Sequence, residues 1–236
     1  MASDVGLKCD SWCGNFDTIP FPMFEKGFLG KTVAIHQPNY LPWIGYFQKM
    51  SLADIFVILD TVQFSKRSYT QRTKIRTKEG WMWLTIPVEK KYYFKPICEI
   101  HLPVESKWMR KHKMSLIKHY ANSPFFDRSF VERYYCSEFT KLQEFNEFGI
   151  FYLKNEFGIE NKVIRASELG LDKNLKSTEL LIEIVKRVGG DVYISGMGGK
   201  KYMEEEKFEK EGIEIRYFEF RPFEYPQRDG RDLSLI

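Results

Sequence analysis

Three short stretches of this sequence place polar side chains where they could do chemistry, each directly after a strand-like apolar run. The first, HQPNYLPWIGY, follows the apolar residues 33–35. Pro38 and Pro42 fix φ and restrict the residues before them, so we predict a stiff loop. An imidazole and amides at a strand end can move a proton or bind a phosphate or carbonyl oxygen. Alternatively, His36 and Asn39 only satisfy backbone groups in a Pro-rich turn. The candidate residues are His36, Gln37, Asn39, Tyr40 and Trp43.

The second stretch, LDTVQFSKRSYTQRTKI, follows a continuous apolar run typical of a strand buried on both faces. Asp60 ends that run, and a carboxylate is costly to bury alone, so we expect it to meet solvent or pair with a following base. There it could hold a ligand amine or a metal, while the following bases bind phosphate. A solvated basic loop with one capping aspartate is the alternative. The candidate residues after Asp60 are Gln63, Lys66, Gln71 and Arg72.

The third stretch, YISGMGGKKY at residues 193–202, is rich in glycine after a predicted strand. Glycines let the backbone approach a ligand closely, and the following helix would aim its N-terminal amides at an anion. The spacing matches neither G-x-G-x-x-G nor the P-loop pattern, so no standard nucleotide motif is present. A tight strand–helix turn would need the same glycines. The predicted phosphate-binding residues are Ser195, Gly196, Gly198, Gly199 and Tyr202.

Strands and helices alternate along the chain, which predicts an α/β fold with a largely parallel sheet flanked by helices. We predict an irregular N-terminal leader at 1–30 and a single α/β domain at 31–236, with a helical insertion at about 106–157. The predicted strands are 33–35, the apolar run before Asp60, 81–88, 97–102, 162–165, 191–196 and 213–220. The predicted helices are 42–50, 106–120, 130–157 in one or two pieces, and 177–188.

Composition limits the function class without naming it. The chain has 236 residues, 43% hydrophobic and 16% aromatic, which indicates a packed globular protein. The net charge of +4 favours anionic ligands only mildly and does not demand nucleic acid. Cys9 and Cys13 are not followed by a second pair at zinc spacing, and Cys98 and Cys136 suit packing, so we predict no metal site. Without a signal peptide or a long apolar run, a reduced cytoplasmic protein with no membrane span is expected.

The motifs together resemble the WbqC-like protein family over about residues 32–236. They are HQPNYLPWIGYFQKMSLADIFVILDTVQF, GWMWLTIPV, KHY, SGMGGKKY and YPQ. Such proteins occur mainly in bacterial polysaccharide and O-antigen (lipopolysaccharide) gene clusters. The resemblance implies a transferase that forms an amide, by N-acyl or aminoacyl transfer onto a nucleotide-activated amino sugar. Two features depart from the family: Gln71 stands where Asn is usual, and the chain ends soon after YPQ.

The opening also resembles, at fold level only, the nucleotidylyltransferase-type fold, although the HxGH motif is absent from residues 41–46. In the leading hypothesis, His36 is the general base and Asp60 orients the sugar amine or His36. Gln63 contacts a substrate hydroxyl or carbonyl, and Lys66 and Arg72 bind the diphosphate. The acyl donor would be acyl-CoA, or a carboxylate activated with ATP and Mg²⁺ by a ligase. A non-catalytic module that binds a sugar nucleotide or a biosynthetic-complex partner stays open.

Overall fold

The computed structural model describes residues 29–105, 107–123, 126–136 and 138–220. Nearly all of the predicted leader, with Cys9 and Cys13, lies outside these residues, as does the C-terminal end with YPQ. The strands are β1 (Thr32–His36), β2 (Ile55–Ile58), β3 (Arg72–Thr77), β4 (Gly80–Thr85), β5 (Lys162–Arg165), β6 (Val192–Gly196) and β7 (Glu214–Phe218). The α-helices are α1 (Ile44–Ser51), α2 (Lys107–Tyr120), α3 (Arg128–Cys136), α4 (Leu142–Glu156), α5 (Ser177–Arg187) and α6 (Glu205–Lys210).

A five-stranded sheet in the order β5-β2-β1-β6-β7 forms the centre of the fold, and all neighbouring strands are parallel. This confirms the predicted α/β class. If the strands of this sheet are numbered by themselves along the chain, the order is 3-2-1-4-5. The order therefore reverses between β1 and β6. In open α/β sheets, ligands bind outside the carboxyl ends of the strands at such a switch point.

Helices cover both faces of this sheet because successive side chains of a strand point to opposite sides. Val33 and Ile35 belong to the core that α5 covers, whereas Ala34 belongs to the core that α1 covers. Helix α5 buries Leu181, Ile184 and other apolar residues of one stripe, as its 3.6-residue period predicts.

A third core joins the β3–β4 hairpin to helices α2, α3 and α4. It contains Ile75 and Leu84 of the hairpin, Trp108 of α2 and Phe145 of α4. The predicted strand at 81–88 is the shorter β4, which pairs antiparallel with β3. The predicted helix at 130–157 is two helices, α3 and α4, which was the second of the alternatives.

The predicted strand at residues 97–102 is wrong. Ile97–Glu99 form a 3-10 helix, and His101 makes only an isolated bridge to Lys141. Ile97 and Ile100 are both buried, and their spacing of three residues places them on one side of a 3-10 turn. The apolar residues of this run are therefore buried without forming a strand.

Candidate functional site

The carboxyl edge of the sheet is the edge at which β1, β2, β5 and β6 end. At the switch point, β1 and β6 run in register with Ala34 beside Ile194. The chain therefore leaves β1 through His36 and Gln37 next to the place where it leaves β6 through Ser195 and Gly196. The first and third predicted stretches meet at this edge because parallel strands end on the same side.

His36 is partly buried, and its ring packs edge-on against Tyr46 with 4.8 Å between ring centroids. Its Nδ1 lies 3.2 Å from the carbonyl oxygen of Gln37. Because a carbonyl only accepts, this hydrogen bond assigns the proton to Nδ1 and leaves the Nε2 lone pair available. Burial, and then the nearby Lys49 ammonium, lower the pKa of His36 to about 3. The imidazole is therefore neutral at physiological pH.

Helix α1 carries two buried polar groups beneath His36, and their spacing of three residues puts them on one face. Lys49 is 5% exposed and donates from Nζ to the Ile35 carbonyl oxygen at 2.8 Å. Burial lowers the pKa of Lys49 to about 7. The hydroxyl of Tyr46 is buried and has no hydrogen-bond partner within the described residues. Burial, with the nearby Glu147 carboxylate, raises the pKa of Tyr46. The side chains of His36, Tyr46 and Lys49 thus form a cluster of titratable groups at the carboxyl end of β1.

Helix α4 crosses the carboxyl edge with polar residues at helical spacing. Glu147, 2% exposed at its side chain, accepts from the Arg165 guanidinium at 2.6–3.0 Å and from Gln143 Nε2 at 2.7 Å. This hydrogen bonding to Glu147, opposed by desolvation, raises the pKa of Arg165. Asn146 donates from Nδ2 to the carbonyl oxygens of Pro38 and Thr70, both at 2.8 Å. Helix α4 therefore holds the end of β5 and the two loops that follow β1 and precede β3.

The expectation that Asp60 meets solvent or pairs with one of the bases after it is wrong. Its carboxylate is fully buried and accepts from the Ser167 amide at 2.9 Å and from the Ser167 hydroxyl at 2.5 Å. Ser167 lies in the turn directly after β5, so the partner comes from the neighbouring strand end rather than from the loop. Within the described residues, no hydrogen bond joins Asp60 to His36. The catalytic role of Asp60 stays a prediction.

The predicted binding residues of the first loop differ in exposure. Gln37 accepts from the Thr70 hydroxyl at 3.2 Å, and Asn39 is buried in the loop. Tyr40 points into the helical core, where its hydroxyl contacts His112 Nδ1 at 3.0 Å and the Tyr135 hydroxyl. Trp43 precedes α1 with its ring so close to Gly45 that a Cβ there would lie 2.3 Å from it. Gln37 and Trp43 remain partly exposed, so they can meet a ligand more readily than Asn39 and Tyr40.

In the second stretch, Gln71 is a buried loop-building residue that donates to the Ile86 carbonyl oxygen and accepts from the Arg67 amide. Arg72 begins β3 and stacks on Trp83 with 3.9 Å from its guanidinium carbon to the ring centroid. Lys66 is exposed and stacks on Tyr93 at 5.1 Å. Gln63 is exposed and forms an isolated backbone bridge with Pro96.

The glycine-rich stretch contains two kinds of glycine. A Cβ on Gly199 would lie 2.3 Å from Ser195 Oγ, so this glycine is required by packing. Gly196 and Gly198 face open space, and Tyr202 is exposed. The expected α-helix directly after the glycines is wrong, because Gly198 and Gly199 lie inside a short 3-10 helix, Met197–Lys201, and α6 begins only at Glu205. Acidic residues in a first helical turn oppose an anion there.

Within the described residues, no group of three or more His, Cys, Asp and Glu side chains could hold a metal ion. None of the helices in those same ranges combines the length and apolar character needed to cross a membrane.

The family model of the WbqC-like protein family matches residues 37–232 of this chain. The chain belongs to the WbqC-like protein family. It is also 28% identical over 193 residues to the uncharacterized protein Rv1507c of Mycobacterium tuberculosis, with 80% of this chain and 83% of the relative covered. No solved structure matches it. The family match begins one residue after His36 and includes the rest of the first predicted stretch, the other two stretches and the helices between them.

Sequence reasoning missed four residues of the edge in this WbqC-like protein. Two signals could have found three of them. Polar residues at spacings of three and four within α4 indicate a polar stripe, and a charged residue that ends a parallel strand indicates a position at the edge. Neither signal applies to Lys49, which lies in α1. The missed residues are Lys49, Asn146, Glu147 and Arg165.

Proposed function

We propose that this WbqC-like protein is an enzyme that forms an amide on a nucleotide-activated amino sugar by acyl or aminoacyl transfer. The observation that carries the proposal is the neutral His36 imidazole at the carboxyl end of β1. Its Nδ1 proton is held by the Gln37 carbonyl oxygen, which leaves Nε2 able to accept a proton. A general base at the switch point of a parallel sheet suits a small anionic substrate.

In the proposed reaction, the sugar amine attacks the carbonyl carbon of the acyl donor. A C–N bond forms while the bond to the donor's leaving group breaks, and the leaving group departs with the electron pair of that bond. His36 Nε2 accepts the proton that the amine loses. Burial, and then Lys49, lower the pKa of His36 to about 3 and so weaken it as a base in the free protein. An adjacent negative charge raises the pKa of an imidazole, so a bound phosphate group would oppose both effects and strengthen the base.

Other residues of the edge would bind and orient the substrates in this proposal. Gln37 and Trp43 would contact the sugar, and Gln63 a substrate hydroxyl. Arg72 and Lys66 would bind the diphosphate, which is supported by their stacking on rings and by the lack of an ion pair to either within the described residues. Asp60 would act as a positioning residue, because it holds the turn at Ser167 directly after Arg165. The loop from Ser195 to Gly198 would accommodate the donor.

The strand order gives a second candidate. The order 3-2-1-4-5 with a switch point is shared with folds that bind nucleotides in the same crevice. A ligase that first activates a carboxylate with ATP would use this crevice for ATP. That reaction releases AMP or ADP with each turnover, whereas direct transfer from an acyl-CoA does not.

The test is to incubate the protein with nucleotide-linked amino sugars and either acyl-CoA or a carboxylate with ATP and Mg²⁺. Mass spectrometry then reports acylated sugar nucleotide and any AMP or ADP. General-base catalysis is typically worth about 10² to 10⁴-fold, so His36→Ala should lose that much rate. His101→Ala, which changes an exposed histidine, is the control. Full activity in His36→Ala would remove the proposed base, and bound but unaltered substrate would favour the non-catalytic module.

A further inference from the structure

The outward face of the β3–β4 hairpin combines aromatic rings with cations. Alternation along β3 turns Thr73 and Ile75 to the core, where both are buried. Arg72 and Lys74 alternate with them and lie on the other face, which they share with Trp81 and Trp83 of β4. Two rings on this face are half exposed, Tyr69 at 53% and Trp81 at 52%. The residues that define this face, called here the hairpin face, are Tyr69, Arg72, Lys74, Trp81 and Trp83.

The two cations of the hairpin face, Arg72 and Lys74, stack on aromatic rings. Arg72 stacks on Trp83 at 3.9 Å, and Lys74 lies 4.3 Å from the centroid of Trp81 and 5.3 Å from that of Trp83. Within the described ranges, neither cation forms an ion pair, and Arg72 Nε is shielded from solvent without a hydrogen-bond partner. Their positive charge therefore stays available to an anion while stacking fixes their position.

Lys91 shows the contrasting arrangement. It also lies over a ring, that of Tyr92 at 5.0 Å, but its Nζ pairs with the Glu89 carboxylate at 2.9 Å. Lys74 and Lys91 thus both stack on a ring, but only Lys91 of these two forms an ion pair within the described residues. This difference makes Lys91 a matched control for the hairpin face.

The start of the hairpin is hydrogen-bonded to the loop that follows β1. The Tyr69 carbonyl oxygen accepts from the Tyr40 amide at 2.9 Å, and the Thr73 hydroxyl donates to the Leu41 carbonyl oxygen at 3.0 Å. The Thr70 hydroxyl donates to Gln37 Oε1 at 3.2 Å. These bonds flank Arg72, so the Arg72 end of the hairpin face lies beside the loop that follows His36. A ligand with its reacting group near His36 can extend to this end of the hairpin.

We infer that the hairpin face binds the nucleoside diphosphate portion of the sugar nucleotide, an inference that rests on the proposed function. Arg72 and Lys74 are two residues apart on one strand, about 7 Å, so both can contact one diphosphate. The exposed ring of Trp81 or Tyr69 provides a plane for the base, and such stacking tolerates any base. The short hairpin, joined to the sheet edge at its Arg72 end, suits a mononucleotide better than a long strand.

Equilibrium binding by titration calorimetry tests the inference with UDP, dTDP and GDP, which lack the reacting sugar. Wild type should bind at least one of them, and Lys74→Gln and Trp81→Ala should each weaken that binding about tenfold. Inorganic pyrophosphate should depend on Lys74 but not on Trp81, because it has no base to stack. Lys91→Gln removes one equal charge from a stacked lysine and should bind as wild type does. If Trp81→Ala lowers the melting temperature, its weaker binding could reflect unfolding, and the result for Lys74→Gln then decides the test.

Three results would overturn the inference: no binding of any nucleoside diphosphate, equal binding by all variants, or binding by CoA and ATP alone. A short oligothymidylate that binds far more tightly than dTDP, and loses binding in the same variants, would instead make the face a nucleic-acid surface. The two proposals fail separately. Nucleotide binding without amide formation would refute the proposed reaction but not the nucleotide site on the hairpin face. Amide formation that Lys74→Gln and Trp81→Ala leave unchanged would refute only the nucleotide site.

Discussion

Replacing Lys49 with methionine is expected to remove a large part of the pH dependence of stability between pH 7 and 9. The ammonium of Lys49 is buried under the end of β1, and burial lowers its pKa from 10.5 to about 7. Methionine has a similar length and an apolar end, so it fills the same space without a titrating group. It loses only the hydrogen bond to the Ile35 carbonyl oxygen, which is worth about 1 kcal/mol.

The sign of the effect follows from proton binding. Between pH 7 and 10.5, the unfolded chain keeps a proton on Lys49 that the folded protein has released. The free energy of unfolding therefore rises with pH across this interval, by up to about 1.4 kcal/mol per pH unit. From pH 7 to 9, Lys49 thus contributes on the order of 2 kcal/mol to the rise in wild type, and nothing in Lys49→Met.

Urea unfolding followed by tryptophan fluorescence at pH 7, 8 and 9 measures this difference. Other groups titrate in both proteins, so the quantity of interest is wild type minus variant at each pH. Lys162→Met, a change at an exposed lysine, should leave the wild-type slope intact. If wild type and Lys49→Met give parallel curves over these pH values, the ammonium is not buried as described and the charge cluster beneath His36 is wrong.

Three further changes separate packing from ligand contact. Tyr46→Phe removes a buried hydroxyl without a partner among the described residues, so urea unfolding should show unchanged or higher stability; a loss above about 1 kcal/mol would contradict this. Arg165→Met leaves the Glu147 carboxylate buried without its partner and should lower the free energy of unfolding by about 2 to 3 kcal/mol, toward the lower figure because Arg165 is partly exposed. The double variant Arg165→Met with Glu147→Met should recover much of this loss, because no buried charge remains. Gly199→Ala should lower the melting temperature through its clash at Ser195, whereas Gly198→Ala should not; a lower melting temperature in both would refute the distinction between these glycines.

Local patterns predicted the sheet well because each buried strand of a parallel sheet is a short apolar run. The run before Asp60 became β2, whose four residues are all buried, and the amphipathic period of α5 gave the helix that covers β1. The run at 97–102 misled because its apolar residues suggested a strand, whereas the spacing of three between Ile97 and Ile100 puts both on one side of a 3-10 turn. An apolar side chain is expected to be buried, but in a run of only six residues this does not decide whether the backbone forms a strand or a 3-10 helix.

The sequence by itself determined the α/β class, the loop after β1 and the presence of His36 at a strand end, because these depend on residues close together in the chain. Only the tertiary structure decided what surrounds them. Ser167, which binds Asp60, and Glu147, which binds Arg165, are joined to their partners by the order of the strands and the path of α4. The pKa of Lys49 likewise depends on burial by distant segments. Charge and hydrogen bonding at this edge are properties of the assembled sheet, since no local pattern specifies which strand ends become neighbours.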